Sequence, residues 1–167
     1  MLPARGPVRM TRGGDQMFFH MTSQTSHGGP RPIPQSQQEQ KEERKNRLVL
    51  VVDDFEDNRT MYAMYLTYSG YDVLEAGDGR EAVEMASAKM PDVIVMDLTL
   101  PVMDGWEATR RLKADERTRH IPIIVLTGHA VAGQARDARN AGCDAFLAKP
   151  CLPEMLVEKV QELLQRQ

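Results

Sequence analysis

Five residues of this 167-residue chain, Asp53, Asp54, Asp97, Thr127 and Lys149, have side chains that could together manage a multiply charged group. Taken singly, each has an ordinary structural use. An Asp-Asp pair ahead of a helix caps it and suits its dipole. A threonine at a strand end serves a turn, and a Lys-Pro step serves a loop. Their order is more informative, because each follows a short apolar run: Leu48-Val49-Leu50-Val51-Val52, Asp92-Val93-Ile94-Val95-Met96, Pro122-Ile123-Ile124-Val125-Leu126, and residues 144–147 just before Lys149. Three carboxylates gathered at one edge repel one another and raise their own pKa values unless a hard cation sits among them, so Asp53, Asp54 and Asp97 imply a metal. Magnesium is the expected ion, since it takes few carboxylates, several waters and a phosphate oxygen in an octahedral shell.

The elements that must position these residues are legible from period and punctuation. The β-branched-rich run 48–52 reads as a buried strand, and residues 58–69 read as a helix with apolar positions 61, 64, 65 and 68, so that Met61 and Met64 are expected mostly in the core. Gly70 ends that helix. A short strand over 71–75 and an Ala-rich helix over 80–89, halted by Pro91, form a second unit. Strands over 92–96, 122–126 and 144–147 are followed by helices over 105–114, 131–141 and 153–165. Continuous apolar strands alternating with helices predict an α/β fold, a doubly wound parallel sheet covered on both faces with right-handed crossovers. In such sheets ligands gather beyond the carboxyl ends of the strands, where all five of these residues stand.

Residues 1–46 differ in kind. They are rich in Gly, Pro, Ser, Thr and Gln, bury too little apolar surface to offset chain entropy, and are expected to be a disordered tail ahead of a domain over 47–167. Residues 35–46 offer a short charged helix running into that domain, and Met17 or Met21 offers an alternative translation start. Residues 1–47 hold eight Lys/Arg and four Asp/Glu, net +4, against thirteen and twenty, net −7, in the remainder. An acidic domain does not suit nucleic acid. No apolar run approaches the roughly 20 residues that span a bilayer, and no apolar stretch follows Arg5, Arg9 and Arg12 as a secretory signal requires, so a cytoplasmic location is expected. Cys143 and Cys151, eight apart, form neither a disulfide framework nor a zinc pattern.

The chain over about 48–167 resembles the receiver domain of bacterial two-component response regulators. The resemblance rests on Val51-Val52-Asp53-Asp54, on Met96-Asp97-Leu98-Thr99-Leu100-Pro101-Val102-Met103-Asp104-Gly105, on Leu126-Thr127-Gly128 and on Lys149-Pro150. It implies a flavodoxin-like fold of five strands in the order 2-1-3-4-5 with five flanking helices. It implies that Asp97 takes a phosphoryl group from a histidine kinase or histidine phosphotransfer protein as an acyl phosphate, with magnesium held by Asp53, Asp54, Asp97 and the backbone carbonyl of Thr99. Lys149 and Thr127 would engage the phosphoryl oxygens, a cis Lys149-Pro150 bond would aim the ammonium inward, and Gly128 would leave room. Thr127 and Phe146 occupy the family's two switch positions, while Thr99 and His129 stand where side chains influence the hydrolytic water.

With seventeen residues after Pro150, output is expected by conditional binding of a target protein, as in stand-alone receivers of the chemotaxis or phosphorelay type. Catalysis is then confined to self-phosphorylation and slow self-dephosphorylation. An aspartate phosphohydrolase of the haloacid-dehalogenase type is the rival enzyme, but it wants a second acid two residues after the nucleophile, where this chain has Thr99. A phosphorylation-independent adaptor is the rival among binding proteins. Met61 also stands with Phe55 and Leu152 as the expected kinase-docking face.

Overall fold

The computed structural model describes residues 46–128 and 141–166. Five parallel strands, β1 (Leu48–Val52), β2 (Asp72–Ala76), β3 (Val93–Asp97), β4 (Ile123–Thr127) and β5 (Ala145–Ala148), make one sheet in the order β2-β1-β3-β4-β5. The helices are α1 (Glu56–Tyr68), α2 (Gly79–Lys89), α3 (Gly105–Ala114) and α4 (Pro153–Leu164). The doubly wound fold is therefore as the sequence pattern suggests, with boundaries moved by one or two residues, and the strand order is the one the resemblance implies. The tail up to residue 45, His129 and all but the last residue of the helix expected over 131–141 lie outside the described residues.

Because β1, β3 and β4 are buried on both faces, each strand feeds two cores by turns. Leu50, Val52, Ile94, Met96, Ile123 and Val125 pack with Ala82, Ala86, Ala108 and Leu112 of α2 and α3. Val49, Val51, Val93, Val95, Ile124 and Leu126 pack with Tyr62 and Leu66 of α1 and Leu156, Val160 and Leu163 of α4. This alternation explains the unbroken apolar strands, since every side chain leaves water whichever way it points. Truncating a fully buried leucine such as Leu50 to alanine costs about 2–5 kcal/mol at such sites.

Helix α1 departs from expectation. Its buried residues are Tyr62, Ala63 and Leu66, whereas Met64, Tyr65 and Tyr68 are exposed and Met61 is half-buried. The helix carries two apolar stripes, and packing chose the one whose Tyr62 hydroxyl reaches a buried acceptor, the Cys151 carbonyl at 3.3 Å. Burial raises the pKa of that phenol, with the thiol of Cys151 adding to the effect.

Local capping sets α2 and α3. The Asp78 carboxylate accepts from the backbone N–H of Arg80 and Glu81 at 2.7 and 3.0 Å, and Asp104 accepts from Glu107 at 2.8 Å. Cys143 and Cys151 are free thiols whose pKa burial pushes up.

Candidate functional site

The parallel register puts β1, β3 and β4 side by side, with Val52 level with Met96 and Asp97 level with Leu126. The residues just past those levels, Asp53, Asp97 and Thr127, therefore share one edge of the sheet. Thr127 is level with Ala148, so Lys149 follows at the same edge of β5, its backbone N–H donating to the Thr127 carbonyl at 2.6 Å. A cis peptide bond joins Lys149 to Pro150.

Asp53 and Asp97 are held in the same way. In each, Oδ1 accepts from the backbone N–H two residues on, Phe55 at 2.9 Å and Thr99 at 3.3 Å. In each, Oδ2 accepts from the Lys149 ammonium, at 2.7 and 2.8 Å. The turn-stabilising use of an aspartate and its use in a charge cluster thus coexist, one oxygen serving each. Both carboxylates are buried, whereas Asp54 faces solvent.

One ammonium does not balance three carboxylates. Burial disfavours the charged form of Lys149, but hydrogen bonds and charge from Asp53 and Asp97 outweigh it and raise its pKa above that of an ordinary lysine. Asp53, Asp54 and Asp97 can each offer one oxygen, all within 4.8 Å of one another. Hard, anionic oxygens with one solvent-facing member fit a cation such as magnesium, which prefers oxygen and keeps part of its water.

The structure places the remaining residues around this edge as follows. Thr127 is buried at the end of β4, and Phe146 is half-buried, packed against the core shared with α2 and α3. Thr99 is exposed on the loop after β3, and Trp106 is half-buried against the same core. Among the described residues, a side chain at Gly128 would meet nothing within 4 Å.

Two contributors escaped the sequence reading. Gly105, read in the sequence only as the start of a helix, lies so close to the β3 end that a Cβ would fall 2.0 Å from the Asp97 carbonyl oxygen. Any larger residue must push the loop bearing Asp97 aside. Arg59 donates from Nη1 to the Asp53 carbonyl at 2.9 Å while its Nε pairs with Glu75 at 3.2 Å, tying the acidic loop to β2. Arg59 stands in the first turn of α1, and nothing in its residue type pointed to the Asp53 carbonyl. His120 is exposed.

Residues 49–161 match the family model described as the response regulator receiver domain. The polar-differentiation response regulator DivK of Brucella ovis is 36% identical over 116 residues, which are 70% of this chain and 94% of that protein. Among solved structures, the chemotaxis protein CheY4 of Vibrio cholerae superposes with a TM-score of 0.68 at 33% identity, over 71% of this chain and 98% of that one. The receiver domain of the sensor histidine kinase PA1611 from Pseudomonas aeruginosa, solved with a magnesium ion coordinated in its active site cleft, superposes with a TM-score of 0.67 at 37% identity, over 72% and 98%. With the sheet order, the clustered carboxylates and these matches together, the chain belongs to the response regulator receiver domains of two-component signalling.

Proposed function

We propose that the domain over residues 47–167 accepts a phosphoryl group on Asp97 and uses it to switch a protein-binding surface. The observation that carries this reading is the Lys149 ammonium bound to Asp53 and Asp97 at once, beside the third carboxylate of Asp54. An Asp97 oxygen attacks phosphorus, forming a P–O bond as the donor's P–N or P–O bond breaks, and an acyl phosphate remains. Lys149 stays between Asp53 and the incoming oxygens and offsets their charge, while the Thr127 hydroxyl donates to one of them. Magnesium, held by Asp53, Asp54, Asp97 and the Thr99 carbonyl, supplies the remaining charge neutralisation.

The donor is a sensor histidine kinase, a histidine phosphotransfer protein or a small phosphodonor, and the acceptor of the signal is an output protein. Exposed Phe55 and Leu152, with half-buried Met61 beside them, supply the kinase-docking face. Switching runs from Thr127, drawn toward the phosphoryl oxygen, to Phe146, which turns into the space left behind it. Lacking a hydroxyl, Phe146 gains packing but no hydrogen bond, so the coupling is looser than with tyrosine. Thr99 offers no carboxylate or amide to orient a hydrolytic water, which favours a phosphorylated state lasting minutes or more. Among the described residues no helix is long and apolar enough to cross a membrane, and a cytoplasmic location suits these partners.

Acetyl phosphate with magnesium should label the full chain once, at Asp97, as read by intact mass and a phosphate-affinity gel. Asp97→Asn should abolish the label. Undiminished label in that variant would place the acceptor elsewhere.

A further inference from the structure

Helix α1 holds more apolar surface than the core consumes. Its outward stripe of Met64, Tyr65 and Tyr68 is exposed to 66, 42 and 93%, and shallow grooves run along both sides of Met64. Their rims carry Glu56 and Asp57, together with Glu75, which is paired with Arg59. Single exposed hydrophobic residues need no explanation, but a contiguous stripe with an acidic rim marks a contact surface.

The chain itself offers the occupant. Asn46 Nδ2 donates to Asp72 Oδ1 at 3.1 Å, and the Asp72 N–H donates to the Arg47 carbonyl at 3.0 Å. Asp72 is four residues beyond Tyr68, and the Tyr71 N–H is bonded to Leu66 of α1 at 3.1 Å. The segment before residue 46 therefore joins the domain at the foot of the exposed stripe. Its densest apolar stretch is Met17-Phe18-Phe19-His20-Met21. The 24 residues between Met21 and Asn46 can extend to about 80 Å, whereas α1 is only about 20 Å long. Residues 1–47 carry net +4 and the remainder net −7, so charge favours the same approach.

We propose that residues 17–21 dock on the Met64–Tyr68 stripe of their own chain, with Phe18 and Phe19 in the grooves beside Met64. Tethering gives the contact a high effective concentration, so modest complementarity suffices. Bound there, the segment lies beside the docking face at Phe55 and Met61 and competes with a partner reaching for α1. The contact itself does not depend on phosphoryl chemistry, so its test stands apart from that of the proposed function.

The full chain with methyl-labelled methionine should show the Met64 methyl resonance move when Phe18→Ser and Phe19→Ser are introduced together. An unmoved resonance overturns the contact. Chymotrypsin should cut after Phe18 or Phe19 faster, by roughly fivefold or more, in the full chain carrying Met64→Lys and Tyr68→Lys than in the unsubstituted chain. Equal rates also overturn it. Protection unchanged on dilution supports docking within one chain; protection that falls on dilution, with a doubled mass by light scattering, seats the segment on a second copy and overturns the proposal as stated.

Discussion

The sheet has buried aspartate at each end, Asp92 at one and Asp53 with Asp97 at the other, and the two ends behave oppositely. At the amino end, Asp92 accepts from the Leu48 N–H at 2.8 Å and from the Arg47 guanidinium at 3.0 Å. One carboxylate thus faces one guanidinium and a backbone donor, and its charge is met. At the carboxyl end, Asp53 and Asp97 share the ammonium of Lys149, and Asp54 adds a third, solvent-facing carboxylate within 4.8 Å. Burial of aspartate is common to both ends, so burial alone does not mark a reactive site. Uncompensated negative charge does, because it leaves the site incomplete until a cation arrives.

This contrast can be broken most directly by withholding magnesium. Labelling by acetyl phosphate should fall by roughly 100-fold in chelator and should remain magnesium-dependent in Asp92→Ala. Labelling that ignores the chelator would mean the carboxyl end is already balanced. Next in size is the stability cost at the amino end. Asp92→Ala leaves the Leu48 N–H and Arg47 without their acceptor and should lose about 1–3 kcal/mol in urea unfolding while keeping its magnesium affinity. A loss of affinity with unchanged stability would reverse the roles of the two ends. Asp54→Ala should do the converse, weakening magnesium binding by roughly tenfold or more, as read by Trp106 fluorescence, with little change in unfolding midpoint without metal.

A pH series sharpens the comparison further. Because the folded pKa of Lys149 is raised, its stabilising contribution is fully present below the ordinary lysine value of about 10.4 and is lost as pH rises through the folded value. The stability difference between the native sequence and Lys149→Met should therefore hold from neutral pH to that point and shrink above it. A difference constant through pH 11 would show that the ammonium is not what stabilises the pair. The smallest effect belongs to the docking face: Glu56→Lys should slow transfer from a kinase by roughly fivefold through lost electrostatic complementarity and leave acetyl phosphate labelling unchanged. Equal slowing with both donors would point to damage at Asp97 instead.

Much of the carboxyl end was legible beforehand because parallel strands align their ends. Once the apolar runs ending at Asp53, Asp97 and Thr127 are recognised as strands, topology brings those residues to one edge without any knowledge of side-chain geometry. The rotation of α1 was not legible, since residues 61–68 carry apolar groups on two stripes and the choice depends on what β1 and α4 present to them. Arg59 and Gly105 were missed for a related reason. Each acts on a backbone carbonyl, of Asp53 and of Asp97, and a carbonyl's neighbours leave no trace in residue type.

The sequence by itself thus determined the alternation of buried strands and helices, the edge at which charge collects and the excess of acid there. These follow from local period and from the one-directional run of parallel strands. Only the tertiary structure decided how that charge is shared, with one oxygen of Asp53 and one of Asp97 given to Lys149 and the other to a backbone N–H. It alone decided which stripe of α1 enters the core and which stays in water. Such choices depend on distances between elements far apart in the chain, where several partners compete for one surface and packing selects among them.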